Sequence, residues 1–390
     1  MSALSPRLAS ELAQSAYVFV KPGTGLLNTQ GFGTRYTQQF FSFENKVMGK
    51  TGGYFINKET GFSAMGIGKG KHEGDAIITI RGTHLPSLAD WGTNLQLALH
   101  TADNNQPVHG GFQRAFSSLK PQFQQFLNQW QTNNSTGTVH CVGHSLGGAL
   151  ATLTADWISS RYTKNVNLYT FGAPRVGQLG FALKNTTKVP NNYRCTHGAD
   201  LVPKVPLWPF FHSPYKGFEY RLDRSQGLSM EAHGMSPLEG GNPGYLVSAN
   251  CEDWSSLQRK SNEYLQPVRL KYENRNQASY SDYWSERLSA ALITLLRETG
   301  YYAAVAVQAT ISAGATFYDL VARTLETIAK TATKAADQVK GLLGHMLAFA
   351  GSAVTLVADL TYHTIRAIFN KMLKRLYAGV REALKWVHKQ

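Results

Sequence analysis

The stretch Val142-Gly143-His144-Ser145-Leu146-Gly147-Gly148-Ala149-Leu150-Ala151 constrains this chain more than any other. Thr138 to Val142 before it is a short β-branched run, and Gly148 to Ser160 after it has the character of a helix. Glycines two residues either side of a serine, between strand and helix, fit a turn too tight for side chains at those positions. The turn presents the serine hydroxyl at the carboxyl end of a sheet, with the next amide and the positive helix N-terminus beside it. A hydroxyl so placed suits an activated nucleophile, and the amide suits stabilisation of an oxyanion. Ser145 is therefore the candidate nucleophile and Leu146 a candidate oxyanion donor.

From about residue 75 to 205 the chain alternates between the two periodicities. Asp75 to Ile80 and Val166 to Phe171 read as strands. Phe112, Phe116, Leu119, Phe123, Phe126 and Trp130 recur at helical spacing. Strands alternating with helices of this length predict a mostly parallel sheet covered on both faces.

GHSLGGALATL resembles the nucleophile elbow of the class 3 (fungal-lipase-like) lipases. Four further segments fit that family in the same order: Ile80-Arg81-Gly82-Thr83, His109-Gly110-Gly111-Phe112, Phe171 to Gly177, and Asp200-Leu201-Val202-Pro203. The likeness spans roughly residues 10–250 and implies an α/β-hydrolase fold, with hydrolysis of lipid acyl esters as the expected activity. It also makes Asp200 the expected acid of a Ser-Asp-His triad and Thr83 the second oxyanion donor. For the base, the resemblance favours His233, in Glu231-Ala232-His233-Gly234-Met235. His212, twelve residues beyond Asp200, is the other candidate. His144 is expected to be structural.

Residues 84–97 hold Leu85, Leu88, Trp91 and Leu95 at three- and four-residue spacing, on one face of a helix. In the resembled family this position is a lid over the active site, although a core-packing helix would show the same spacing. No metal or organic cofactor is implied, and no nucleic-acid partner.

Cys141, Cys195 and Cys251 form neither a C-x-x-C pair nor a metal-ligand pattern. The N-terminus shows Ser5 ahead of Pro6, a helix start rather than a basic region followed by an apolar one. Synthesis in the cytoplasm without a cleaved signal is expected, with any export by a signal-independent route. The formal charge of +14 is uneven: residues 361–390 hold 7 basic side chains and 1 acidic one.

Beyond Pro267, the last proline, glycine thins and the sequence turns helical. The expected division is a hydrolase domain at 1–258, a linker or peripheral segment at 259–283, and a helical domain at 284–390. Thr299 to Tyr318 and Gly341 to Ala358 are almost uncharged and approach the length of a membrane span. Ile365 to Lys389 reads as a basic amphipathic helix suited to anionic lipid or to packing on a helical neighbour. The leading expectation is a lipase or phospholipase A acting at a lipid or membrane surface, with peripheral membrane association. The alternative is a membrane-inserting toxin or effector in which 284–390 binds a membrane, a chaperone, an immunity protein or a secretion partner. The chain also looks similar to bacterial class 3 lipases without signal peptides that are delivered as effectors.

Overall fold

A computed structural model of the chain describes residues 3–19, 34–51, 58–82, 99–133, 137–206, 209–223, 231–237, 243–262, 270–301, 305 and 317–387. Thr83 and the whole 84–97 segment, with Leu85, Leu88, Trp91 and Leu95, lie outside the described residues.

A seven-stranded sheet organises the first part. A long hairpin, β1 (Phe41–Thr51) with β2 (Lys58–Gly68), pairs antiparallel with β3 (Ala76–Ile80). Five strands then run parallel, β3 beside β6 (Val139–His144), β7 (Val166–Phe171), β9 (Asn191–Thr196) and β11 (Glu219–Arg221). A smaller sheet joins β4 (Leu99–Thr101), β5 (Pro107–His109), β8 (Gly177–Gln178) and β10 (Phe210–Phe211).

The central strands are apolar on both sides, as parallel strands under helices must be. Ile78, Ile80, Val139, Cys141 and Leu168 face one cluster. Ile77, Val142, Tyr169 and Phe171 face the other. Over the first face lie α3 (Gly110–Asn133) and α4 (Leu146–Arg161). Over the second lies α1 (Pro6–Phe19), whose first turn is capped by Ser5 Oγ accepting from the Leu8 amide at 3.3 Å. Helices α2 (Thr34–Gln38), α5 (Leu179–Lys188) and α6 (Gly244–Ser248) complete this part.

The C-terminal helices are not a tethered unit. Helix α7 (Trp254–Asn262) crosses residue 258, and Tyr272–Gln277 forms a 3-10 turn against α10 (Thr333–Phe349). The first apolar cluster continues without a break through Leu201, Val202 and Val205 into α8 (Asp282–Glu298), α9 (Phe317–Thr331), α10 and α11 (Tyr362–Val387). On α11, Ile365, Phe369, Met372, Leu376 and Val380 are all buried, so that face is spent on protein. A Cβ on Gly379 would come within 2.6 Å of Leu201 Cδ2, so the small residue lets α11 approach the Asp200 loop closely. The second uncharged stretch breaks where α10 ends and Gly351 adopts φ +74°. Most of the first lies outside the described residues, and no described helix is long and apolar enough to cross a membrane.

Buried histidines impose a pH dependence on this fold. Burial pushes the imidazoles of His144 and His197 below their ordinary range, and that of His109 down to about 3. An unfolded chain protonates them near 6.5, so the unfolded state binds more protons below that value. Their contribution is full above pH 6.5 and is lost as the pH falls from 6.5 towards 3. The urea midpoint is expected to drop steadily from about pH 7 to about pH 4.5. A flat midpoint over that range would refute the linkage.

Candidate active site

Ser145 lies between β6 and α4 with φ 57° and ψ −131°, a left-handed backbone that non-glycine residues rarely adopt. The surrounding packing enforces it. A Cβ on Gly143 would strike the Gly147 carbonyl oxygen, and one on Gly147 the Ile80 carbonyl oxygen. One on Gly148 would stand 2.5 Å from Ala173 Cβ. The glycines of the motif are thus sites where backbone meets backbone, and the strained serine is held from all sides. Leu146 is the first residue of α4, so its amide is one of the donors that a helix leaves without an intrahelical partner.

The structure brings Ser145, His233 and Asp200 together in series, each no more than 1% exposed. His233 Nε2 is 2.9 Å from Ser145 Oγ. His233 Nδ1 lies 2.8 Å from Asp200 Oδ2 and 3.0 Å from Oδ1. Asp200 Oδ1 also accepts from the Val202 amide at 2.9 Å, and Oδ2 from the Tyr245 hydroxyl at 2.7 Å. A carboxylate that receives donors from all sides fixes the His233 proton on Nδ1. Nε2 is then the acceptor facing the serine hydroxyl. His212 stands elsewhere, with Nε2 at 2.7 Å from the Pro203 carbonyl.

Four further groups surround this series: Tyr17, His144, His197 and Tyr245. Gly82 N–H donates to the Tyr17 hydroxyl at 3.0 Å, and that hydroxyl donates to His144 Nδ1 at 2.7 Å. His144 Nε2–H can then donate to the His233 carbonyl at 2.8 Å. His197 Nδ1 donates to the Ala232 carbonyl at 2.7 Å, and its ring stacks on Tyr245 at 3.9 Å. Two neutral imidazoles therefore pin successive carbonyls of the 3-10 turn Glu231–His233, which carries the base. Burial, followed by the Asp200 charge, raises the Tyr245 phenol well above its ordinary value, so it remains a donor to the carboxylate. Of the four, sequence marks His144 alone, as the structural histidine of the elbow.

Gly172 sits at φ +57°, where a Cβ would lie 2.7 Å from Asp200 Oδ2. Gly172→Ala is expected to displace the carboxylate and lower kcat about a hundredfold, the scale of a small misplacement in a catalytic array. Activity within twofold of wild type would show that the loop absorbs the methyl.

Among the described residues, His72, Asp75 and His140 form a cluster whose ligand-type atoms lie within 4.8 Å of one another. It lies at the opposite end of the parallel strands from Ser145. His72 Nδ1 and His140 Nε2 meet Asp75 Oδ2 at 3.1 and 3.2 Å, and the Thr138 amide meets Oδ1 at 2.8 Å. These bonds tie the turn before β3 to the start of β6.

A strained serine after a parallel strand, with its histidine and aspartate on later loops, defines a serine hydrolase site of the α/β-hydrolase type. Residues 77–210 match the family model of class 3 lipases, and over this segment the chain is similar to that family. It is 31% identical over 173 residues to a secreted mono- and diacylglycerol lipase of Fusarium solani, covering 44% of this chain and 50% of that one. It is 27% identical over 230 residues to a phospholipase A1-II of Oryza sativa subsp. indica, covering 48% and 57%. The chain thus spans about half the length of these curated relatives. Among solved structures it is similar to a lipase from Rhizopus microsporus var. chinensis, with 22% identity, TM-score 0.43, and coverage of 55% of this chain and 72% of that one.

Proposed function

We propose that the protein hydrolyses acyl esters of glycerolipids through Ser145, His233 and Asp200. The observation that carries this reading is the unbroken relay from Asp200 through His233 to Ser145 on a strained elbow. His233 Nε2 takes the hydroxyl proton as Ser145 Oγ attacks the ester carbonyl, and the Asp200 carboxylate stabilises the imidazolium. The oxyanion of the tetrahedral intermediate falls to the Leu146 amide at the start of α4, with Thr83 as second donor. His233 returns the proton to the departing alkoxide, and water then releases the fatty acid by the same steps in reverse order.

The named relatives differ in substrate, one acting on mono- and diacylglycerols and one being a phospholipase A1; what they share is the glycerolipid acyl ester. The formal charge of +14 favours an anionic interface and with it a phospholipid substrate. Fatty-acid release is measured from phosphatidylglycerol and phosphatidylcholine vesicles, a diacylglycerol dispersion and a triacylglycerol emulsion, with wild type, Ser145→Ala and His233→Ala. Release by wild type alone is expected, fastest from phosphatidylglycerol. No release from any of the four would sink the reading, and activity retained by His233→Ala would require another base.

A further inference from the structure

The cluster of His72, Asp75 and His140 holds more than a hydrogen-bonded clamp requires. His72 ends the 3-10 turn Gly70–His72, Asp75 immediately precedes β3, and His140 is the second residue of β6. The imidazole side chains are 1% and 0% exposed, while the Asp75 side chain keeps 12%. Phe41, at the start of β1, stacks on the His72 ring at 5.3 Å and meets the His140 ring in a T-shaped contact at 6.2 Å. Two imidazoles and a carboxylate thus converge beside an apolar wall, and the carboxylate leaves a way in from solvent.

The spacing favours coordination over a simple clamp. Hydrogen bonds between a nitrogen and a carboxylate are normally short, about 2.7–2.9 Å, when charge assists them. Here both imidazole nitrogens approach the same oxygen, Asp75 Oδ2, at 3.1 and 3.2 Å. Ligands about 2.0–2.1 Å from a tetrahedral zinc ion stand roughly 3.3 Å from one another. The ligand atoms of all three residues lie within 4.8 Å of one another, so small side-chain movements bring them onto one ion.

The outer contacts fit as well. Ligating histidines and carboxylates are oriented by hydrogen bonds made by their remaining polar atoms. With Nε2 given to a metal, His140 Nδ1–H faces the Tyr169 hydroxyl at 3.4 Å. Asp75 Oδ1 accepts from the Thr138 amide at 2.8 Å. His72 Nε2 has no hydrogen-bond partner among the described residues, so it is free to carry the ring proton once Nδ1 turns to a metal.

We propose that His72 Nδ1, Asp75 Oδ2 and His140 Nε2 hold a divalent transition-metal ion, with water in the fourth position. Two imidazoles and one carboxylate are a donor set that zinc takes, whereas calcium and magnesium call for oxygen ligands. The ion fastens the turn before β3 to β6 at the end of the sheet remote from Ser145, supporting the fold without entering the reaction. Asp75 and His140 lie 65 residues apart in the chain, so no local spacing announces the site.

Zinc binding is measured on the full chain, first stripped with a chelator, by calorimetry and by metal analysis after dialysis. One equivalent of zinc is expected, with no heat from magnesium or calcium. Cobalt(II) at the same site should show the strong visible absorption of tetrahedral coordination. Zinc should also raise the urea midpoint of the wild type, because a ligand of the native state alone stabilises it. His72→Gln should lose the zinc equivalent, the cobalt band and the shift in midpoint, with near-UV circular dichroism reporting that the variant is folded. The chain carries 12 histidines, so zinc can also settle elsewhere on it. A zinc equivalent that His72→Gln retains therefore overturns the proposal. So does a wild type that binds no zinc, or one whose urea midpoint zinc leaves unchanged. These readouts involve no turnover and stand apart from the hydrolytic reading.

Discussion

Ser145→Ala is expected to lower kcat about a millionfold while leaving the fold intact, the scale seen when the nucleophile of a serine triad is removed. The hydroxyl is the atom that forms the acyl-enzyme, and it stands 2.9 Å from His233 Nε2, the atom that takes its proton. Alanine retains the Cβ and the same backbone, so the left-handed elbow is not relieved. Single-turnover hydrolysis of a chromogenic ester, with urea unfolding of the same samples, separates chemistry from stability. A residual rate within a hundredfold of wild type would remove Ser145 from the nucleophile's place.

Asp200→Asn is expected to cost about four orders of magnitude in kcat with KM little changed, the effect of a wrong histidine tautomer. The surroundings determine how the amide must sit. The Val202 amide donates to Oδ1, so the carboxamide oxygen takes that place. The NH₂ group then occupies the Oδ2 position, facing His233 Nδ1 and the Tyr245 hydroxyl. A donor there forces His233 to carry its proton on Nε2, where it can no longer accept from Ser145. Tyr245 also loses its acceptor. Raising the pH cannot restore the rate, because the defect is the position of a proton and not the charge of a carboxylate. Recovery of activity at alkaline pH would therefore contradict the tautomer account.

Much of this site could be read from local sequence. The glycines of 143–147 announce a turn because glycine is tolerated there for a steric reason, and the strand and helix flanking it came within a few residues of Val139–His144 and Leu146–Arg161. Asp200 and His233 were reached through the resemblance, since a lone aspartate or histidine has no periodicity. Tyr17 and Tyr245 were invisible for a different reason. Each reaches its partner across a long separation in sequence, Tyr17 to His144 and Tyr245 to Asp200, and nothing local distinguishes such a tyrosine from one that merely packs. The β1–β2 hairpin lies outside residues 75–205, where strand and helix periodicities alternate. The apolar stripe on α11 was legible, but what covers it was not. A stripe of that kind fits a membrane or a neighbouring helix equally well, and only the positions of Leu201 and Tyr318 decide in favour of protein.

Helix α11 packs against the turn that bears His233 and against Leu201 beside Asp200. A polypeptide leaves the ribosome from its N-terminus, so the strand, elbow and both catalytic loops emerge well before the helix that closes over them. Until residues around Gly379 have cleared the exit tunnel, the loops carrying the acid and the base lack one of their walls. The packing of this site is therefore timed by translation, and a nascent chain cannot acquire it early.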